Sequence, residues 1–160
     1  MTATIRNAVA GDEELLAKLN GFVQDIHLEQ RPDDFKPTTI PELAGWYRSL
    51  LERPTARMWI AEEGGLPVGY ILAIVHQRAD NPFCPDRHWC ELDQIAVDPK
   101  YRRQGIGRSL ILRAIAEVTA DGIRDIEATS WSFNQVTHVV LRRLGFVPKT
   151  VRFELKSSPV

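Results

Sequence analysis

The sequence predicts an α/β (α+β) fold, one sheet with helices packed against it. Three observations carry this. Strand-like and helix-like stretches are mixed along the chain. Two β-like runs, Arg57 to Ala61 and Pro67 to Gln77, are joined by the glycine-rich turn EEGG, a hairpin signal. A third apolar run, Trp89 to Val97, leads through a turn into an amphipathic helix and a further strand, the pattern of a β-α-β step. No repeat, low-complexity segment or linker interrupts the 160 residues, so one domain spanning 1–160 is expected, long enough to bury a core.

The elements follow in order. Thr4 to Val9 reads as an opening strand. Asp12 offers an N-cap, and Glu13 and Glu14 suit the first helical turn. Leu15, Leu19, Phe22 and Ile26 recur at helical spacing, which predicts a helix to about Glu29. RPDDFKP, from Arg31 to Pro37, ends it. Thr39 and Pro41 start a second helix with Leu43, Tyr47 and Leu50 along one face, and Pro54 stops it. The hairpin strands come next, then the polar loop HQRADNPFCPDRH, then the Trp89–Val97 strand. Past a Gly-rich turn, Ile106, Leu110, Ala114 and Val118 form one stripe of a helix that Asp121-Gly122 closes. Ile123 to Trp131 reads as a strand. Asn134 to Leu144 reads as a helix with Gly145 as a left-handed C-cap, and Phe146 to Leu155 as a final strand.

Composition excludes several classes. The formal net charge is -1, so nothing draws the whole chain to nucleic acid or an anionic membrane, and any basic site is local. The 4 Trp are scattered and do not alternate with basic residues as a base-stacking surface would. The longest apolar stretch, around Leu66 to Val75, is far short of the ~20 residues that span a bilayer. With 2 Cys and an N-terminus, MTATIRNAVAGDEE, that lacks an apolar signal core, a reduced, cytoplasmic setting is expected. Cys84, His88 and Cys90 lie close in sequence but lack the paired Cys-x-x-Cys spacing, so no metal is expected. His27, His76 and His138 read as packing or surface residues.

The richest segment is Ile95 to Leu110, IAVDPKYRRQGIGRSL. A helix start without bulky side chains leaves backbone N–H groups pointing outward at the positive end of the dipole, a site for a phosphate. Arg102, Arg103 and Arg108 add positive charge around it. The loop lacks the Gly-Lys-Ser/Thr ending of a P-loop, and Leu110 stands where a dinucleotide fingerprint wants glycine or alanine. The plain alternative is a tight turn with exposed arginines.

Arg102-x-x-Gly105-x-Gly107 after IAVDP resembles the Arg/Gln-x-x-Gly-x-Gly/Ala motif of the GCN5-related N-acetyltransferases (GNAT). WSFNQVTHVVLRRLGF, from Trp131, is similar to their later strand–helix segment, with Asn134, Gly145 and Phe146 at matching places, and IHLEQRPDDFKP resembles the loop between the first two helices of some members. The resemblance implies a mixed, mostly antiparallel sheet flanked by helices. Its strands corresponding to Trp89–Val97 and Ile123–Trp131 splay apart to form a cleft for acetyl-CoA, the co-substrate. The pantetheine arm then pairs with backbone at Ile95, Ala96 and Val97. The diphosphate takes N–H groups from Arg103, Gln104, Gly105, Ile106, Gly107 and Arg108, where a Cβ on either glycine would hold it off. Asn134 bonds the cofactor arm, although its position suits a helix N-cap equally well.

An ammonium acceptor has no lone pair with which to attack a thioester, so a base must take its proton. Glu91 and Asp93 share one strand face by alternation and lead into the loop. Asp93, four residues before Val97, is the first candidate for base or amine anchor, and Glu91 the second. Two solvated charges on a strand edge are the plain alternative. Leu141 stands where the family often carries a tyrosine acid, with Ser132 and His138 as weak substitutes. The implied activity is acetyl transfer from acetyl-CoA to a primary amine, small-molecule or peptide, by direct attack. The alternatives are a non-catalytic acyl-CoA-binding or regulatory module and a nucleotide-binding interaction protein. Asp33 and Asp34 read as a solvated turn or as a greeting for a cationic acceptor. Dimers are common in folds of this kind, so a homodimer is among the expectations.

Overall fold

The computed structural model describes residues 3–159. The chain forms two units, one up to Thr129 and one from Ser130 onward. In the first, β1 (Thr4–Asn7), α1 (Glu13–Gln30), α2 (Ile40–Leu51), β2 (Ala56–Glu63), β3 (Leu66–Arg78), β4 (Arg87–Val97), a 3-10 turn (Pro99–Tyr101), α3 (Ile106–Ala120) and β5 (Asp125–Ala128) follow in turn. Five strands make one sheet in the order β1-β2-β3-β4-β5. Neighbours are antiparallel except β4 and β5, which run parallel, with α3 as the crossover that parallel strands require.

Local chemistry explains most boundaries. Gly64 and Gly65 take φ of 58° and 79°, the two positive values of a tight hairpin turn between β2 and β3. Thr39 caps α2: its hydroxyl accepts the Glu42 N–H at 3.3 Å, and Glu42 Oε2 accepts the Thr39 N–H at 2.8 Å. Asp12 behaves differently from expectation. It precedes α1 but makes no side-chain cap bond. Arg6 holds both of its oxygens at 2.8 and 3.0 Å, and the Val9 N–H donates to Oδ2 at 2.8 Å. The carboxylate therefore ties β1 to α1, and the Arg6 hydrogen bonds lower its pKa.

The two sheet faces bury different helices. Tyr70 and Leu72 of β3 and Ala96 of β4 join Leu16, Leu19, Tyr47 and Leu50 of α1 and α2 in one cluster. The alternate positions face α3, whose Leu110, Ile111, Ala114 and Val118 are buried; Gly107 lies against Ile95 and Val97. Burying each Leu or Ile favours the fold by about 1.5–3 kcal/mol.

In the second unit, α4 (Gln135–Arg143) starts at Asn134 and ends at Gly145, φ 92°. The Gly145 N–H bonds the Arg142 carbonyl and the Phe146 N–H that of Leu141, both at 3.0 Å, so the glycine stop is as expected. The strand expected over Phe146 to Leu155 does not form. Val147, Val151, Phe153 and Leu155 are exposed, Phe153 at 89% and Leu155 at 91%, and no described strand pairs with the segment. Alternation supplies a strand's side chains but not the neighbour its backbone needs. The strand–helix–strand run read from Ile123 to Leu155 therefore lacks its last strand. β5 is also shorter than the expected Ile123–Trp131, because its limits are those of its pairing with β4.

Candidate active site

The turn between β4 and α3 is built by Asp98. Its N–H bonds the Val68 carbonyl at 2.8 Å, and its side chain accepts the Lys100 N–H at 2.9 Å. Arg103 has φ 63° and Gly105 φ 82°, so the chain swings through left-handed conformations just before α3. Gly105 is the N-cap and has no side chain to cap with. The first bond of the helix joins the Ser109 N–H to the Gly105 carbonyl at 2.9 Å. The N–H groups of Gly105, Ile106, Gly107 and Arg108 have no acceptor among the described residues.

The three arginines divide. Arg102 donates from Nε to the Val97 carbonyl at 3.0 Å and from a terminal nitrogen to the Phe22 carbonyl at 3.5 Å, tying the end of β4 to α1. Arg103 and Arg108 are exposed, and neither is paired with an acid among the described residues. Gln104 is exposed beside them, while the Ile106 side chain anchors the helix start at 5% exposure.

Upstream, β4 carries the two carboxylates. Leu72 pairs with Gln94 and Ala73 with Leu92, so Asp93 has no partner on β3: it is a β-bulge. Glu91 lies opposite Ile74, and Gln94 opposite Leu72, on the face that packs against α1 and α2. The bulge therefore gathers Glu91, Asp93 and Gln94 on one face. Pairing with β5 ends at Leu92 and Ala128, one residue before the bulge. Beyond it, among the described residues, no strand covers that edge of β4 along Ile95, Ala96 and Val97.

The two acids differ in their surroundings. Glu91 is bonded at one oxygen and approached at the other: Thr129 Oγ1 donates to Oε1 at 2.9 Å, and His76 Nε2 stands 3.3 Å from Oε2 without a hydrogen bond. His76 stacks on Trp89 with ring centres 5.0 Å apart, and the Arg87 guanidinium lies 4.5 Å over the same Trp89 ring. Asp93 accepts no hydrogen bond among the described residues. Solvent reaches it, yet desolvation by the protein packed around its carboxyl raises its pKa above the ordinary carboxylate value. The charge of Glu91 adds to the rise and His76 opposes it.

Beside them lies a buried polar cluster. Tyr47 Oη and Tyr70 Oη stand 2.8 Å apart and donate to Gln94 Oε1 at 2.9 and 2.8 Å. Asn20 Nδ2 donates to Tyr70 Oη at 2.9 Å. Burial drives both phenols up, Tyr70 to about 12, and the negative charge of Asp93 contributes in each case. Asp93 is thus within electrostatic reach of both hydroxyls.

The structure brings Asp93 and Glu91 together on β4 and places the open edge and the bare helix start directly after them. It turns Arg102 toward carbonyl groups. Asn134 caps α4 by accepting the Thr137 N–H at 3.4 Å. Sequence reasoning missed His76, Thr129, Gln94, Tyr47 and Tyr70 as site residues. Gln94 had one available signal, its position next to Asp93; the others come from distant strands and helices. Among the described residues no three His, Cys, Asp or Glu side chains group to hold a metal ion, and no helix is long and apolar enough to cross a membrane.

Comparison with known proteins follows the same lines. The model of the acetyltransferase (GNAT) family matches residues 21–146. Over 151 residues the chain is 29% identical to an uncharacterized N-acetyltransferase of Methanocaldococcus jannaschii, covering 94% of this chain and 63% of that protein. It spans less than two thirds of the length of the curated relatives it matches. A tetramutant of the BH1408 protein of Bacillus halodurans superposes with a TM-score of 0.90 at 21% identity, covering 96% of this chain and 99% of that one. The aminoglycoside N-acetyltransferase AAC(6')-Iy, solved with CoA, gives a TM-score of 0.74 at 20% identity, covering 98% and 96%. The two structural likenesses speak to the fold.

Proposed function

The chain belongs to the acetyltransferase (GNAT) family, and from that premise we propose that it is an acetyl-CoA-dependent N-acetyltransferase, residues 1–160 forming one catalytic domain. The observation that carries this is the helix start at Gly105, its N–H groups bare, directly beyond the open edge of β4. The fit to a thioester carrier is chemical. Uncapped N–H groups and two unpaired arginines suit a diphosphate, and an unpaired strand edge suits an amide-bearing arm. Acetyl-CoA supplies the acetyl group as a thioester. Arg103 to Arg108 hold its phosphates, Ile95 to Val97 orient the arm, and backbone N–H there polarises the carbonyl. Arg102 acts mainly by fixing the loop. For Asn134 only the family resemblance favours a bond to the arm.

Asp93 takes the proton of the acceptor ammonium. A carboxylate without hydrogen-bond donors and with a raised pKa is the better base of the pair. The freed lone pair attacks the carbonyl carbon. The C–N bond forms, the C–S bond breaks, and the remaining surplus proton on nitrogen leaves to neutralise the thiolate. Glu91, bonded by Thr129 and beside His76, serves as the electrostatic partner. The acceptor is a primary amine on a small molecule or peptide. Leu141, at the family's tyrosine position, favours a second reading, an acyl-CoA-binding module with little turnover.

Release of free thiol from acetyl-CoA with a panel of primary amines separates the two readings. Amine-dependent thiol is expected, and Asp93→Asn should lower kcat by about 10²–10⁴-fold. Tight CoA binding without amine-dependent thiol supports the module instead.

A further inference from the structure

Asp93 and Gln94 are consecutive, yet the bulge sets both on the face of β4 that looks toward α1 and α2. Their hydrogen-bonding capacities are opposite. The ionised Asp93 carboxylate can only accept, and no group among the described residues donates to it. Gln94 has a carbonyl oxygen and an amino group, and the fold uses only the first. Tyr47 Oη and Tyr70 Oη donate to Oε1 at 2.9 and 2.8 Å, which takes up both of its lone pairs. The protons fix this orientation. Asn20 Nδ2 donates to Tyr70 Oη. With Nε2 turned to the phenols instead, one hydroxyl would donate to the other across 2.8 Å, and the second hydroxyl proton would have no acceptor. Two phenols, from α2 and β3, thus clamp the carboxamide by its oxygen. Nε2 is left with two N–H groups and no acceptor among the described residues. Gln94 is half-buried, and solvent reaches Nε2.

We propose that Gln94 is a specificity-determining residue for the acceptor: Nε2 donates to an oxygen beside the reacting nitrogen, so that an amine with a neighbouring carbonyl, an α-amino amide, is selected over a plain alkylamine. The inference deepens the assignment of Asp93 as the base that meets the acceptor nitrogen, and rests on it. The carboxylate takes the N–H of the ammonium, and the next residue offers N–H groups to the oxygen close by. A substrate oxygen replaces the water that solvates these donors. A hydrocarbon in the same place displaces that water and returns nothing, so the donors are left unpaired. A site built to hydrogen-bond one group of its substrate rejects the analogue that lacks it. The two phenols hold the carboxamide before the substrate arrives, so little rotamer freedom is lost on binding.

Glycinamide and isobutylamine are matched probes, alike in shape, with the oxygen on the first alone. In the unaltered protein with CoA, the Gln94 side-chain amide pair is followed by ¹⁵N NMR while each amine is added. Glycinamide should move the pair and isobutylamine should leave it in place. A pair that glycinamide does not move, or that both amines move equally, overturns the inference, and this reading needs neither turnover nor a variant. Thiol release adds the energetic side. Gln94→Glu keeps an oxygen for both phenols and puts a second oxygen where the amino group was. Its charge acts on both ammonium ions alike, so the ratio of kcat/KM for glycinamide over isobutylamine isolates the lost donor. That ratio should fall about 3–10-fold, the value of one neutral hydrogen bond. An unchanged ratio also overturns the inference. Thiol release by Asp93→Asn with the faster of the two amines separates the underlying assignment. Full activity there removes Asp93 as the base, whatever Gln94 does.

Discussion

Two helix starts in this protein face the same physical problem and answer it differently. α2 begins at Thr39, where a reciprocal pair of side chain and backbone bonds with Glu42 satisfies the first donors from within the chain. α3 begins at Gly105, with no side chain able to do so and an arginine on either side of the exposed turn. A helix end left bare costs stability unless water or a ligand completes it. The contrast is between a start capped from within the chain and one left bare, which the proposed function fills with a diphosphate, and charge agrees: an acid sits in the first turn of α2 and a base in that of α3.

The largest effect that should break this contrast is Gly107→Glu. A Cβ there meets Ile95 Cδ1 and Val97 Cγ2 in ordinary contact at 3.8 Å, so the backbone at the helix start keeps its place, and a melting curve checks that the variant is folded. CoA affinity, measured by calorimetry, should fall about 100-fold or more through bulk and like charge. Retained affinity would make α3 merely an uncapped helix. Next, Arg108→Ala should weaken CoA about tenfold, the value of one charge-assisted bond. Arg102→Ala should instead show itself chiefly in thermal stability, because Arg102 bonds the Val97 and Phe22 carbonyls. Equal losses of CoA affinity would erase the division of labour between them.

At the other helix, Thr39→Ala should cost about 1 kcal/mol in denaturant unfolding and leave CoA affinity unchanged. A matching loss of affinity would show that the two starts are not separable. The smallest effect is a pH dependence. The Thr39 N–H, then the Thr39 hydroxyl, hold the Glu42 carboxyl below its ordinary pKa. A group with a depressed folded pKa stabilises above its unfolded value and loses that contribution as pH falls through the folded one. The acid side of the stability profile, below about pH 4, should therefore flatten in Glu42→Gln. An unchanged profile would remove Glu42 from the cap's energetics.

Local signals read well wherever their cause lies within a few residues. Thr39, Pro41 and Glu42 mark α2, the paired glycines mark the hairpin, and Gly145 marks the end of α4. The uncapped start of α3 was legible because Gly105 takes a positive φ and has no side chain with which to cap. Asp12 stands at the N-cap of α1 as expected, but Arg6 claims the carboxylate that would have capped it, and Phe146 to Leu155 misled because alternation cannot provide a pairing partner. The carboxylates at Glu91 and Asp93 were visible, but not the difference between them.

The sequence by itself determined the order and kind of the helices and strands up to α4, the family, and the bare start of α3, since propensity, capping and glycine conformation act over one or two turns of chain. Tertiary structure alone decided which acid is free. Thr129, just past the end of β5, and His76 of β3 reach Glu91, and Tyr47 and Tyr70 converge on Gln94 from α2 and β3. A one-residue bulge against β3 places Asp93 beside them. Register, burial and hydrogen-bond competition are settled between segments far apart in the chain, and no local pattern encodes them.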